Sequence, residues 1–343
     1  MIIGLIIILL LVLFLPFTKL VERNLELFLF IMGIISVLVS QVLEWELIKE
    51  ALIAPINITL AVFFAGLLFR WFQKPIETGI LSLSYAIPYR VFIALFVIIL
   101  GLISSLITAI VAAIILVAVV SVLRMDRKSE IRLVILACYA IGLGAVLTPI
   151  GEPLSTIVVS KLDERFFYLL ELIGIYIIPG VIVFGILSAL MIAPRDKKLK
   201  LNKGDQTVSE KESYPEIIIR SLKIYLFVMA LTFLGAGFQP FIERFLLDLH
   251  PLVLYWINII SAVLDNATLA AAEISPQMSE PTIKAILLGL CVSGGMLIPG
   301  NIPNIIAAGK LRITSLEYAR FAVPVGLVAM IIYFVVVAIT LNL

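Results

Sequence analysis

Apolar runs of about 15–25 residues recur from one end of this chain to the other, and an uncharged stretch of that length is a candidate membrane-spanning helix. Full spans are predicted near residues 2–17, 27–43, 54–70, 133–160, 167–193, 216–236, 282–309 and 319–341. Two further runs, 91–123 and 252–275, are interrupted by polar clusters at their middles. The first cluster is Ser104-Ser105-Leu106-Ile107-Thr108-Ala109, the second Ser261-Ala262-Val263-Leu264-Asp265-Asn266-Ala267-Thr268. Each of these runs is compatible with one long bent span or with a re-entrant hairpin whose polar tip lies at mid-membrane. Backbone of the second kind is tolerated only where protein or a water-filled cavity surrounds it.

The composition agrees with a membrane protein. Hydrophobic residues make up 62% and charged residues 14% of the chain, with a mean hydropathy of +1.20; a soluble domain is about a quarter charged. The net charge of +2 leaves no electrostatic footprint for a nucleic acid. Cys138 and Cys291 both lie in apolar runs and suggest neither a disulfide nor a metal site. A membrane protease needs a Ser–His, paired-Asp or zinc constellation. With His250 as the single histidine and no second intramembrane Asp, the chain is not read as an enzyme. Met1 to Pro16 lacks a basic n-region and a small-residue cleavage site, so it is read as a retained first span.

Charge orients the spans. The lysine-rich hydrophilic loop from Arg195 to Tyr214 belongs in the cytoplasm by the positive-inside rule. Counting back, Arg124, Arg127, Lys128 and Arg132 are cytoplasmic. If 91–123 is a hairpin, Arg90, Lys74, Arg70, Lys19 and Arg23 join them; a single crossing would move Arg70, Lys74, Lys19 and Arg23 outside. The hairpin reading wins on charge. Counting forward places Lys310, Arg312 and Arg320 inside. The expectation is an all-α polytopic protein of the cell membrane (a prokaryotic plasma membrane), with eight full spans, two hairpins entering from opposite faces, and both termini outside. Segments 75–90 and 239–250, just before the hairpins, are read as helices lying in the interface plane, with the end of a neighbouring span as the alternative.

The two halves resemble each other. Ile103-Ser104-Ser105-Leu106-Ile107-Thr108-Ala109 aligns with Ile260-Ser261-Ala262-Val263-Leu264-Asp265-Asn266. The segment from Gly144 to Pro153 aligns with that from Gly294 to Pro303, and Phe72-Gln73 with Glu77 echoes Phe238-Gln239 with Glu243. The topology makes the units inverted. The chain therefore divides into scaffold spans 1–53, a first repeat 54–193 (hairpin 91–123, broken helix 133–160), a cytoplasmic linker 194–215 and a second repeat 216–343 (hairpin 252–275, broken helix 282–309). Inverted repeats with broken helices mark alternating-access transporters. The breaks come from Pro149 and Pro153 around Gly151, and from Pro299 and Pro303 around Gly300. Each proline removes a backbone hydrogen bond and clashes with the preceding turn, which frees carbonyls for a cation. Thr148 and Glu152 sit in the first break, Asn301 and Asn304 in or beside the second.

The Ser-x-x-x-Asp-Asn tip, Ser261 to Asn266, and the Gly-rich broken span from Gly294-Gly295 through Asn304-Ile305-Ile306-Ala307-Ala308-Gly309 resemble the ion transporter superfamily. Within it they are similar to the NhaD-type sodium/proton antiporters and arsenite-permease relatives. The resemblance runs from about residue 54 to the end of the chain. It implies two inverted repeats, with both hairpin tips and both breaks lining one central site, and a homodimer. The first tip has Thr108-Ala109 where the second has Asp265-Asn266.

An ionisable residue at membrane depth is a functional-site hypothesis by default. The predicted ion ligands are Asp265, Asn266, Thr268 and Ser261 at one tip and Ser104, Ser105 and Thr108 at the other. Thr148 and Glu152 join them from the first break, Asn301 and Asn304 from the second. No Lys or Arg falls within either tip or either break, and hard oxygen donors with negative charge suit sodium. Asp265, Asn266, Glu152 and Asn301 are its first candidates; no other cofactor is implied. One carboxylate that holds either a cation or a proton is the simplest basis for antiport. The expected function is sodium/proton exchange with Asp265 as the shared ligand and Glu152 as the second acid. The alternative is a sodium-coupled carrier of a carboxylate or inorganic oxyanion. The expected partners are sodium, protons, the lipid bilayer and a second copy of the chain.

Overall fold

In the computed structural model, which describes residues 1–15, 18, 21, 24–123, 125–192, 213–245, 249–262, 266–276 and 278–340, every regular element is helical. In chain order these are α1 (Ile2–Phe14), α2 (Leu25–Ser40), α3 (Trp45–Ala86), α4 (Tyr89–Ile107), α5 (Ala109–Leu123), α6 (Arg127–Ala145), α7 (Pro153–Leu162), α8 (Tyr168–Met191) and α9 (Tyr214–Phe245). There follow α10 (Pro251–Ile257), a 3₁₀ turn Asn258–Ala262, α11 (Asn266–Glu273), α12 (Glu280–Ser293), a 3₁₀ turn Ile298–Gly300, α13 (Ile302–Leu311) and α14 (Ser315–Thr340).

Two helices form the centre. From Leu133 to Ala145 every residue of α6 is buried, and so is every residue of α12 from Ala285 to Ser293. A helix that is apolar all round is stable only when enclosed. Small residues let the neighbours close in: the bare Cα of Gly144 sits against the backbone of Gly101 on α4. Each helix starts on a polar cap at its end of the fold. The Asp126 carboxylate accepts from Ser129 N at 3.1 Å, and Ser279 Oγ from Thr282 N at 3.4 Å. Tyr139 ties α6 outward. Its ring stacks on Phe184 of α8 at 4.8 Å, and its hydroxyl donates to the Ala322 carbonyl of α14 at 2.8 Å.

Among the described residues, four helices are long and apolar enough to cross a membrane: α4, α8, α9 over Tyr214–Phe241, and α14. That points to a multi-pass membrane protein. The outer faces fit the same reading, since α14 exposes Val328, Ile331, Ile332, Val335 and Ile339 and α8 exposes Ile175, Val183 and Ile186.

The runs 133–160 and 282–309 are each broken into two helices, at 146–152 and 294–301, where the proline pairs fall. Other expectations change. The run 54–70 is part of α3, 42 residues long and continuous through Pro55 and Pro75. Residues 75–86 and 239–245 are therefore not separate interface helices. They continue α3 and α9, the latter through Pro240. A proline costs one hydrogen bond and a local clash, which a long packed helix absorbs. The first arm of the run 91–123 is α4, 19 residues, or about 28 Å at 1.5 Å per residue; by itself it is long enough to span. Most of the linker 194–215 lies outside the described residues.

Candidate functional site

Four interruptions of the helices come together around α6 and α12. The first lies between α4 and α5, at Thr108, whose φ of 74° is one of few positive values at a non-glycine residue. Its hydroxyl accepts from Val111 N at 3.3 Å and so starts α5. Ala109 N donates to the Gly151 carbonyl in the second interruption at 2.7 Å. Thr148 Oγ1 donates to the Ser105 carbonyl, closing the contact from the other side. The third and fourth interruptions meet in the same way. Gly300 lies against the Ser261 and Ala262 carbonyls, so that a Cβ there would come within 2.8 and 2.9 Å of the two oxygens. Asn266, at the start of α11, packs beside Gly294.

The two pairs are joined through the central helices. The Asn301 amide lies on the bare Cα of Gly142 in α6, where a Cβ would come within 2.7 Å of Nδ2. Glu152 is its counterpart in the other break. Both are buried, at 4% exposure for Glu152 and 3% for Asn301. They also play the same local role. Glu152 (φ −155°, ψ 162°) is the extended residue before α7, and Asn301 (φ −156°, ψ 148°) is the extended residue before α13. Both helices have 10 residues and end on a left-handed residue of φ 52°, Asp163 or Arg312.

The hydrogen bonds around this centre share a direction. Ser104 Oγ donates to the Gly101 and Ile141 carbonyls at 2.6 and 3.0 Å, and Ser105 Oγ to the Leu102 carbonyl at 2.8 Å. Ser261 Oγ lies 3.3 Å from the Leu290 carbonyl and 2.5 Å from Ser293 Oγ. Ser293 Oγ in turn reaches the Asn258 carbonyl at 2.7 Å. Asn304 Nδ2 donates to the Gly294 and Leu297 carbonyls, both at 2.9 Å. Its Oδ1 is buried with no hydrogen-bond partner among the described residues. A hydroxyl or amide whose hydrogens are committed to the backbone still has lone pairs to offer. Asn266 Nδ2 is likewise buried without a hydrogen-bond partner among the described residues, so the cluster offers one free donor beside these acceptors.

Of the predicted ligands, Ser104, Ser105, Thr108, Thr148, Glu152, Ser261, Asn266, Asn301 and Asn304 lie at these interruptions. Thr268 is carried on α11, and its side chain is outside the described residues. Asp265, with Val263 and Leu264, is also outside the described residues. Sequence reasoning missed Gly142, Asn258, Glu273 and Ser293. The signal for two of them was present: Asn258 and Glu273 are polar residues inside the predicted intramembrane run 252–275, where such residues are expensive.

Compared with curated proteins, the chain matches none. Residues 2–340 match a family described as a protein of unknown function, DUF1646, and the chain belongs to that family.

Proposed function

We propose that this protein is a secondary active transporter that exchanges sodium for protons by alternating access, with Asp265 as the carboxylate shared by the two ions. The observation that carries the reading is the buried Asn304 Oδ1, left free because both amide hydrogens are held by carbonyls. Around it the serine hydrogens are likewise directed to backbone. Oxygen lone pairs facing a buried centre suit a hard, poorly polarisable cation. Asp265 is the residue before Asn266 and Glu152 starts α7, so both acids belong in sequence to elements that begin at this centre.

The inverted-repeat, hairpin and broken-helix architecture belongs to the same proposal. Its support is an exchange of contacts: α5 packs on α13 as α11 packs on α7, and α4 packs on α6 as α10 packs on α12. The correspondence is one residue off the sequence alignment, since Glu152 pairs in role with Asn301 and Ser104 bonds Ile141 as Ser261 bonds Leu290. Membership of the ion transporter superfamily, the division into units 54–193 and 216–343, the outside termini and the homodimer are parts of this reading.

In proteoliposomes, sodium added to one side should produce a pH change that Asp265→Asn abolishes; full activity in that variant sinks the assignment. One feature favours a sodium-coupled anion carrier instead. Four helices, α5, α7, α11 and α13, begin at the centre, and helix N-termini attract anions. Currents that require an organic or inorganic anion, absent with sodium alone, would select that reading.

A further inference from the structure

We propose that Glu273 is a proton-carrying carboxyl of the transport path, working as a pair with the Asn258 amide and displaced from the central cluster along α11. This rests on the proposed exchange of sodium for protons and extends it to a third acid that the resemblance does not assign.

Glu273 is the last residue of α11, 2% exposed, and Asn258 opens the 3₁₀ turn at 0%. The Asn258 amide is the polar group that the carboxyl meets. Even so, Glu273 Oε2 and both Asn258 amide atoms are buried without a closed hydrogen bond. Such groups are costly to leave unsatisfied. An ionised carboxylate in this place would need a cation, and among the described residues Glu273 has no ion-pair partner.

Of the charged groups on the surrounding elements one lies close by, and the others are engaged elsewhere. On α7, Lys161 Nζ reaches the carbonyl of the next residue, Ile274, at 3.4 Å. On α12, Lys284 pairs with Glu280 at 2.5 Å. On α9, Lys223 pairs with Glu26 at 3.5 Å, Glu216 accepts from Ser213 N, and Arg244 lies over the Phe245 ring. A carboxylic acid suits the setting better than a carboxylate, because its O–H can be donated to the amide oxygen and its carbonyl oxygen can accept from the amide N–H.

Position gives the pair its role. Asn266 and Glu273 mark the two ends of α11, about 10 Å apart along the axis. Asn266 packs at the central cluster, while Glu273 adjoins the connection 274–279 that leads to α12. The links between them are polar: Ser261 Oγ contacts Ser293 Oγ, and Ser293 Oγ donates to the Asn258 carbonyl. The hydroxyl chain ends on the Asn258 backbone carbonyl, which accepts a hydrogen bond but relays no proton, so Glu273 takes up and releases its proton to water on the side of the 274–279 connection. No oxidant, reductant or covalent step is involved.

The test uses the full-length protein in proteoliposomes, comparing wild type with Glu273→Gln and Asn258→Ala. Infrared difference spectra across a pH step should contain a protonated-carboxyl band that E273Q removes and N258A shifts. Sodium-driven proton release in E273Q should fall on the order of a hundredfold, with its pH profile altered and sodium–sodium exchange retained. A spectrum unchanged by E273Q overturns the proposal. So does an unchanged flux profile in E273Q when the wild type is active. If the wild type itself shows no sodium-dependent pH change, the antiport reading fails; the infrared band then decides, its loss in E273Q supporting a protonated Glu273 and its persistence overturning it.

Discussion

Replacing Gly142 by alanine should separate transport from folding. The new Cβ would stand 2.7 Å from Asn301 Nδ2. An ordinary contact begins near 3.4 Å, so the amide has to retreat by about 0.7 Å. Since the obstructing atom is the end of a side chain, the backbone need not move. Alanine gains about 0.8–1 kcal/mol over glycine in a helix, while forcing the amide off its rotamer costs about 0.5–1.5 kcal/mol. The two nearly cancel, and the thermal midpoint in detergent should stay within a few degrees of wild type. Displacing a ligand by most of an ångström can cost about a hundredfold in rate where geometry is demanding. Sodium-driven proton flux should therefore fall by one to two orders of magnitude. Gly144→Ala, one half-turn along, is the control. Its Cβ would fall on the Gly101 carbonyl, which is backbone, with Ser104 Oγ at 3.1 Å behind it. Overpacking of that kind costs about 1–3 kcal/mol or more, so this variant should lose thermal stability. Wild-type flux in a folded Gly142→Ala protein, or an undiminished midpoint in Gly144→Ala, would refute the packing argument.

Three further outcomes follow from the hydrogen bonds. Arg127 joins three elements: its guanidinium donates to the Leu311 and Arg312 carbonyls at 3.0 and 2.9 Å and pairs with Glu317 at 3.1 Å. Removing it in Arg127→Ala should cost about 1 kcal/mol, visible as a lower unfolding midpoint. Hydrogen bonds from Thr314, then the Arg127 guanidinium, depress the Glu317 carboxyl to about 2. A depressed acid stabilises the fold above its unfolded value near 4.5 and loses that contribution as the pH falls toward 2. The difference between wild type and Glu317→Gln should therefore be full at neutral pH and shrink across that acid window. Ser293→Ala leaves the Asn258 carbonyl without its 2.7 Å donor and Ser261 without its 2.5 Å partner. A loss of about 1–3 kcal/mol is expected for a buried site of this kind, measured by thermal unfolding.

The fold was legible wherever the signal was length and hydropathy. Expected spans at 167–193, 216–236 and 319–341 correspond to α8, α9 and α14, because an unbroken apolar run of that length has few other solutions. The two proline pairs also spoke plainly, since Pro149–Pro153 and Pro299–Pro303 fall where α6 and α12 end and α7 and α13 begin. The segments just before the two polar runs were less plain, since 75–86 and 239–245 follow the stated alternative and continue α3 and α9. The site was legible as a set of polar residue types. Its hydrogen-bond directions were not, because whether Asn304 offers a donor or an acceptor depends on where the Gly294 and Leu297 carbonyls lie. Glu273 and Asn258 were present in the sequence as polar residues in an apolar run. They were overshadowed by Asp265, and only tertiary contact brings residues fifteen positions apart onto one another.

The internal resemblance is most informative where it fails. Glu152 and Asn301 precede helices of the same length. Their backbone angles match, but Glu152 closes a capping box with Ser155 that Asn301 does not make. A helix N-terminus favours negative charge, and Glu152 supplies it at α7 where Asn301 at α13 does not. In the other pair of corresponding positions the charge is reversed in location: Asp265-Asn266 stands in the second half where Thr108-Ala109 stands in the first. Of the acids at the breaks and tips, the proposed repeats thus carry one each, on different elements. Two acids on equivalent elements would serve a symmetric pair of ion sites. One from an interrupted span and one from a tip instead favours a single composite centre to which both halves contribute. In such a centre, relative motion of the halves changes the distance between the acids. That motion would alter the affinity for a cation and for a proton together, and exchange of one for the other requires that coupling.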